Sequence, residues 1–237
     1  MLQAKNISSG YGKLQILTDV SFRAEAGEVT AIVGPNGSGK STLLKTFAGL
    51  TNLYAGEMTL DEHSLTHLPP HVVARSGLAY LPQTESVFVQ LTVEENIKMA
   101  AYTVSSEQFP ARLESSLEMF PQIRQYMKSK VQNLSGGERQ MVAMAMAMMR
   151  EPKVVMFDEP TANLSPKLAT LVLDTVKSLA KDRKLTVVLV EQNAKKALQM
   201  SDRAYLLVGG RNVFEGGGNE LLSHAELARM YLGLRAA

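Results

Sequence analysis

Apolar positions along this chain follow two patterns that alternate. Short unbroken runs, Glu28-Val29-Thr30-Ala31-Ile32-Val33, Val154-Val155-Met156-Phe157 and Leu185 to Val190, read as buried strands. Between them, Thr42-Leu43-Leu44-Lys45-Thr46-Phe47-Ala48 and the stretch from Pro166 to Lys181 carry helical spacing. Strands alternating with helices imply a mostly parallel, helix-covered sheet, whose ligands sit at the carboxyl ends of its strands. The chain opens with a β-rich segment, and Tyr54 to Leu60 and Leu78-Ala79-Tyr80-Leu81-Pro82-Gln83 read as further short strands.

From about residue 92 to 130 the pattern turns helical. Thr92 ahead of Glu94-Glu95 predicts a capped helix start, and helical spacing continues through Leu113, Leu117, Phe120 and Ile123. After Leu134-Ser135-Gly136-Gly137-Glu138, a helix from Arg139 to Met149 is rich in alanine and methionine, which points to core packing. His63, His67 and His71 recur every four residues, but Pro69 and Pro70 interrupt a helical register there. Solvated loop histidines are therefore expected rather than metal ligands.

Composition narrows this picture only at its edges. The chain has 237 residues, 45% hydrophobic and 20% charged, as in an ordinary globular protein. A formal net charge of +2 gives no nucleic-acid footprint. Without cysteine there are neither disulfides nor thiolate zinc sites. The start, Met1-Leu2-Gln3-Ala4-Lys5, carries no signal-peptide pattern. The most apolar run, Met141 to Met149, is nine residues, well short of the roughly 20 that span a bilayer. Work at a membrane would require another chain to hold this one there.

Candidate chemistry concentrates where strands end. Gly34-Pro35-Asn36-Gly37-Ser38-Gly39-Lys40-Ser41 fits the phosphate-cradling pattern G-x-x-x-x-G-K-[ST], with a strand before it and a helix starting at Thr42 after it. Glycines let several backbone N–H groups face one polyphosphate, and the helix start adds a favourable dipole. Lys40 would set its charge on the β- and γ-phosphates of a nucleotide, and the Ser41 hydroxyl would sit on Mg²⁺. Asp158 and Glu159 follow the apolar strand at 154–157. Asp158 suits a hold on that Mg²⁺, and Glu159 suits orienting and deprotonating the attacking water.

These motifs in this order, with Gln83 and Leu134–Glu138 between them, resemble the ATP-binding subunit of ABC transporters over essentially the whole chain. The resemblance implies an α/β P-loop NTPase core with a mostly parallel sheet, an N-terminal antiparallel β subdomain and a helical insertion. In boundaries, it implies one cassette over 1–237, with 84–134 as the helical subdomain and 1–83 plus 135–237 as the core. It also implies that Ser135, Gly136 and Gly137 contact the γ-phosphate of ATP held by a second ATPase subunit. Gln83 would link Mg²⁺ to the helical insertion, and Tyr11 would stack on adenine. Coupling would run from Glu85-Ser86-Val87-Phe88 to Glu94-Glu95-Asn96. The partners implied are integral membrane permease subunits and, indirectly, a solute-binding protein, with no nucleic acid; the place is the cytoplasmic face of a membrane.

Two positions depart from the family pattern. Where a switch histidine is usual, the chain reads Val190-Glu191-Gln192-Asn193; Gln192 can hydrogen-bond a γ-phosphate but cannot carry a proton. The loop Ala162-Asn163-Leu164-Ser165 lacks the family's aspartate. Glu191-Gln192-Asn193-Ala194, Leu68-Pro69-Pro70-His71, Asn163-Leu164-Ser165-Pro166 and Tyr231-Leu232-Gly233 resemble, more narrowly, the second ATPase subunit of branched-chain amino acid uptake systems. Relatives serving urea or amides look similar. DNA-repair, chromosome-organising and ribosome-associated relatives carry coiled coils, zinc modules or paired cassettes, which a single cassette without cysteine or heptads does not match. Gln192 keeps open a nucleotide-binding module that does not turn over ATP.

Overall fold

The computed structural model describes residues 1–84 and 86–233; Glu85, in the expected coupling stretch, lies outside the described residues. In chain order the elements begin β1 (Leu2–Tyr11), β2 (Leu14–Ala24), β3 (Val29–Val33), α1 (Lys40–Phe47), β4 (Asn52–Leu60), β5 (His63–Ser64), α2 (Pro70–Arg75) and β6 (Leu78–Leu81). Next come α3 (Val93–Ala100), α4 (Phe109–Met119), α5 (Gly136–Met148), β7 (Val154–Asp158), α6 (Pro166–Arg183) and β8 (Thr186–Val190). The chain closes with α7 (Ala194–Met200), β9 (Arg203–Val208), β10 (Arg211–Gly216), α8 (Gly218–Ser223) and α9 (Ala225–Leu232). Two compact units result. One comprises residues 1–80, 153–159 and 176–233; the other comprises 81–152 and 160–175.

In the first unit an antiparallel sheet, ordered β2-β1-β4-β5, accompanies a six-stranded sheet ordered β10-β9-β3-β8-β7-β6. β3, β7 and β8 are buried at every position, as apolar strands inside a parallel sheet must be. β8 runs parallel to β3 and β7, with Val190 opposite both Ile32 and Asp158. That register brings the carboxyl ends of three strands level, and each delivers one part of the candidate chemistry. Phe22 joins the two kinds of structure in the core: its ring lies 5.2 Å from that of Phe47 in α1 and 4.8 Å from that of Tyr205 in β9. Aromatic pairs of this geometry contribute about 1 kcal/mol each beyond their buried area.

Two details differ from the pattern expected in the sequence, and a third agrees with it. α1 opens at Lys40 rather than Thr42, because Gly39, at φ 100°, turns the loop straight into the helix. β9 and β10 form a hairpin whose turn, Gly209-Gly210, has positive φ at both glycines, the requirement of a type I′ turn. His63, His67 and His71 fall on a strand, a left-handed loop position and a helix, so their spacing does not place them on one helical face.

The second unit is helical. Thr92 and Ser135 each cap a helix with a reciprocal pair of bonds to a glutamate three residues on, Glu95 for α3 and Glu138 for α5. Such boxes satisfy two otherwise orphaned N–H groups at the helix start. Met141, Met144, Met148 and Met149 are buried, so the methionine-rich helix does serve as core. The helical run expected through Ile123 stops earlier. Phe120 leaves helical geometry at φ −129°, ψ 61°, ahead of Pro121. Proline disfavours the helical region for its predecessor, so Ile123 reaches the core from a 3₁₀ turn, Pro121–Tyr126.

Candidate nucleotide-binding site

The loop between β3 and α1 takes a shape that only glycine permits at its first position. Gly34 has φ 150°, and a Cβ there would stand 2.1 Å from the Leu207 carbonyl oxygen. Gly37 and Gly39 also have positive φ, and Gly39 is pressed against Leu17 of β2. Backbone bonds from Ser38 N to Pro35 O and from Gly210 N to Ser38 O close the arch. Among the described residues no side chain caps α1, and its first turn holds no acid. Free first-turn N–H groups, with the dipole behind them, favour an anion.

Lys40 is buried, and its ammonium donates to the carbonyls of Gly34 and Pro35, 2.9 Å each. Burial lowers its pKa, while the nearby Glu159 and Asp158 carboxylates oppose that shift. The side-chain oxygen of Ser38 is buried without a hydrogen-bond partner among the described residues. A buried hydroxyl left so is costly, and a phosphate oxygen held in the arch would satisfy it. The arch thus fits a polyphosphate by its shape, its donors and its charge.

Across the sheet, Ser41 Oγ donates to Asp158 Oδ1 at 2.8 Å, and the Tyr80 hydroxyl donates to Oδ2 at 3.0 Å. Burial first, and the Asp158 charge second, raise the Tyr80 pKa far above the ordinary tyrosine range. A hydroxyl and a carboxylate side by side suit magnesium, a hard cation that takes one or two protein oxygens and fills its shell with phosphates and water. Glu159 stands one residue beyond β7 in the left-handed region, φ 52°, and its N–H donates to Val190 O at 2.9 Å. This conformation is uncommon for a side chain of that kind and is concentrated at functional sites.

The first unit therefore brings together Gly34 through Thr42, Asp158 and Glu159, and it also carries Tyr11 and Gln192. Tyr11 ends β1, is 42% exposed, and pairs with Leu14 across the hairpin whose second strand packs on Gly39. Gln192 lies two residues past β8 and is exposed, next to the buried Glu191. Gln83 and Ser135–Gly137 belong to the second unit. There Gly136 and Gly137 leave room for neighbours: a Cβ on either would meet Leu164 or Leu168 at 2.9 Å. Leu164, in the loop without the family's aspartate, thus packs on the Ser-Gly-Gly motif. Tyr80 was not singled out in the sequence, because nothing in local spacing marks a partner 78 residues away.

Residues 17–162 match the ABC transporter family model. Over 234 residues, 99% of either chain, the sequence is 50% identical to a probable branched-chain amino acid transport ATP-binding protein, LivF, of Archaeoglobus fulgidus. It is 36% identical to the high-affinity branched-chain amino acid transport ATP-binding protein BraG of Pseudomonas aeruginosa, over 98% of this chain and 100% of that one. Among solved structures, the ADP conformation of an ATP-binding cassette of an ABC transporter superposes with TM-score 0.88, at 26% identity and 97% coverage of both chains. A dimeric cassette bound to ADP and Pi gives TM-score 0.78 at 27% identity, covering 92% of this chain and 98% of that one.

With a glycine arch, a lysine and a paired serine and aspartate at the strand ends, the fold is that of an ATP-binding cassette. The chain belongs to the ABC transporter ATP-binding family. It is an ATPase whose hydrolysis of ATP energises transport. Cassettes of this family act as dimers together with membrane permease components. Among the described residues no helix is long and apolar enough to cross a membrane.

Proposed function

We propose that this chain is one of two ATPase subunits in a branched-chain amino acid uptake system, held peripherally at the cytoplasmic face by permease subunits. A solute-binding protein outside the membrane delivers cargo to the permeases. The observation that carries the solute is the 50% identity over 99% of both chains to the archaeal relative named for branched-chain amino acids. The runner-up cargo is urea or an amide.

Gly34, Pro35, Asn36, Gly37, Ser38, Gly39, Lys40, Ser41 and Thr42 bind the phosphates of ATP. Lys40 exchanges its bonds to the Gly34 and Pro35 carbonyls for β- and γ-phosphate oxygens, which match its charge. Ser41 and Asp158 would hold Mg²⁺, with Gln83 linking that site to the helical insertion. The metal supplies neutralisation of charge on the transferring phosphoryl group. Glu159 orients the attacking water and takes its proton. Gln192 donates to the γ-phosphate, and Tyr11 stacks on adenine. Ser135, Gly136 and Gly137 present a capped helix start to nucleotide held by the partner ATPase.

Reconstitution tests the cargo. The permeases that co-purify with this chain from its native membrane are placed in vesicles with it, and labelled leucine and urea are offered with internal ATP. ATP-dependent leucine uptake is expected. Uptake of urea alone would overturn the amino acid assignment, and phosphate release no faster than a Lys40→Ala control would favour a module that binds without turnover.

A further inference from the structure

We infer that Tyr80 is a positioning residue for the magnesium site: its hydroxyl and that of Ser41 together fix the plane of the Asp158 carboxylate. The inference rests on the assignment of Ser41 and Asp158 to Mg²⁺ made above, and it adds a residue to which that assignment gives no part.

Asp158 is only 4% exposed. A carboxylate buried to that degree requires donors on its oxygens. Ser41 supplies one to Oδ1 at 2.8 Å and Tyr80 supplies one to Oδ2 at 3.0 Å. The torsion that turns a carboxylate plane is broad and weakly restrained by its own sterics. One donor would leave the group free to swing about that bond; two donors on opposite oxygens determine its orientation.

The two donors differ in what metal binding asks of them. A serine oxygen that turns a lone pair to a cation keeps its O–H for Asp158, but its position must adjust to the ion. Tyr80 makes no such adjustment. It comes from β6, which lies beside β7 in the sheet, and its ring is packed against the hydrophobic core of the first unit. The phenol is therefore a fixed reference for the carboxylate before and after the cation arrives. Partners of this sort around metal ligands typically govern metal affinity by about 10- to 100-fold.

The test is calorimetric titration of ADP into the full chain, with saturating Mg²⁺ and again in EDTA, for wild type and Tyr80→Phe. Phenylalanine keeps the ring in the core and removes only the hydroxyl. The expected result is at least about tenfold weaker binding of ADP with Mg²⁺, with affinity in EDTA unchanged. Equal affinities in both conditions, or an equal loss in both, would overturn the role of Tyr80. A wild-type chain whose ADP affinity ignores Mg²⁺ would instead overturn the magnesium site itself. Should Tyr80→Phe fail to fold, 4-aminophenylalanine at position 80, which keeps an N–H donor, is compared with 4-fluorophenylalanine, which has none. Retained magnesium dependence in the first and its loss in the second is expected; no difference between them overturns the inference.

Discussion

Ser41 and Asp158 stand 117 residues apart in the chain, yet the serine hydroxyl donates to the aspartate Oδ1 at 2.8 Å. The bond exists because β3 and β7 both pair with β8 in register, with Val190 opposite Ile32 on one side and Asp158 on the other. The loop that follows β3 and the carboxylate that ends β7 are thereby placed together by the sheet. Parallel sheets bring unrelated strand ends to one edge, and this edge is where the nucleotide chemistry resides.

The shape of the arch depends on Gly34 far more than on Gly37. At Gly34 a Cβ would meet the Leu207 carbonyl oxygen at 2.1 Å, whereas at Gly37, also at positive φ, it would meet nothing within 4 Å. Gly34→Ala is expected to cost about 3 kcal/mol of stability and to abolish nucleotide binding. Gly37→Ala is expected to cost about 1 kcal/mol, the left-handed penalty alone. Urea unfolding of both variants checks the difference; equal losses would contradict the close approach of Gly34 to Leu207.

Glu159→Gln keeps the size of the side chain and removes its basicity. Phosphate release should fall by about 100-fold or more, while binding of a fluorescent ATP analogue stays at the wild-type level. If the variant turns ATP over at the wild-type rate, the proton goes elsewhere and Glu159 has no part in catalysis.

Tyr11 is expected to recognise the base and not the phosphates. Tyr11→Ala should weaken ATP by about tenfold, in keeping with stacking energies of roughly 1–3 kcal/mol. Inorganic tripolyphosphate should compete as well against the variant as against wild type. A matching loss for both ligands would place Tyr11 outside adenine recognition.

The capping box of α5 carries a pH dependence. Hydrogen bonds from the Tyr126 hydroxyl, then from the Ser135 backbone N–H, hold the Glu138 pKa below its ordinary value. A lowered carboxylate pKa contributes stability that is fully present above the unfolded-state value, near 4.3, and is lost as pH falls through the folded value. Glu138→Gln keeps a reciprocal cap but loses the charge, and should therefore be less stable than wild type at neutral pH by about 0.5 kcal/mol. The difference should shrink as pH falls below about 4. Thermal midpoints across that range decide the matter, and a difference that does not change with pH would sink the assignment.

Much of this was legible in the residues themselves. Glycine spacing with Lys-Ser gave the phosphate loop, and unbroken apolar runs gave β3, β7 and β8, because fully buried parallel strands leave no polar face to obscure them. Thr92 announces a helix start by short-range chemistry alone, whereas α5 starts at Gly136 behind the Ser135 cap, three residues ahead of the Arg139 start read from spacing. The β9–β10 hairpin was not anticipated, although Gly209-Gly210 is a recognisable turn signal. The break before Pro121 is hidden in the sequence because hydrophobic spacing runs on through Ile123, past the end of the helix. Tyr80 was invisible for a different reason. Its partner is set by which strands lie side by side, and one sequence carries no local trace of that.

The most direct measurement is a crystal structure of this chain soaked with ADP and Mg²⁺. The expected result has the diphosphate within the backbone N–H groups of residues 34–42 and the metal beside Ser41 and Asp158. Phosphates bound anywhere else on the chain, or a metal held without those two residues, would contradict the account.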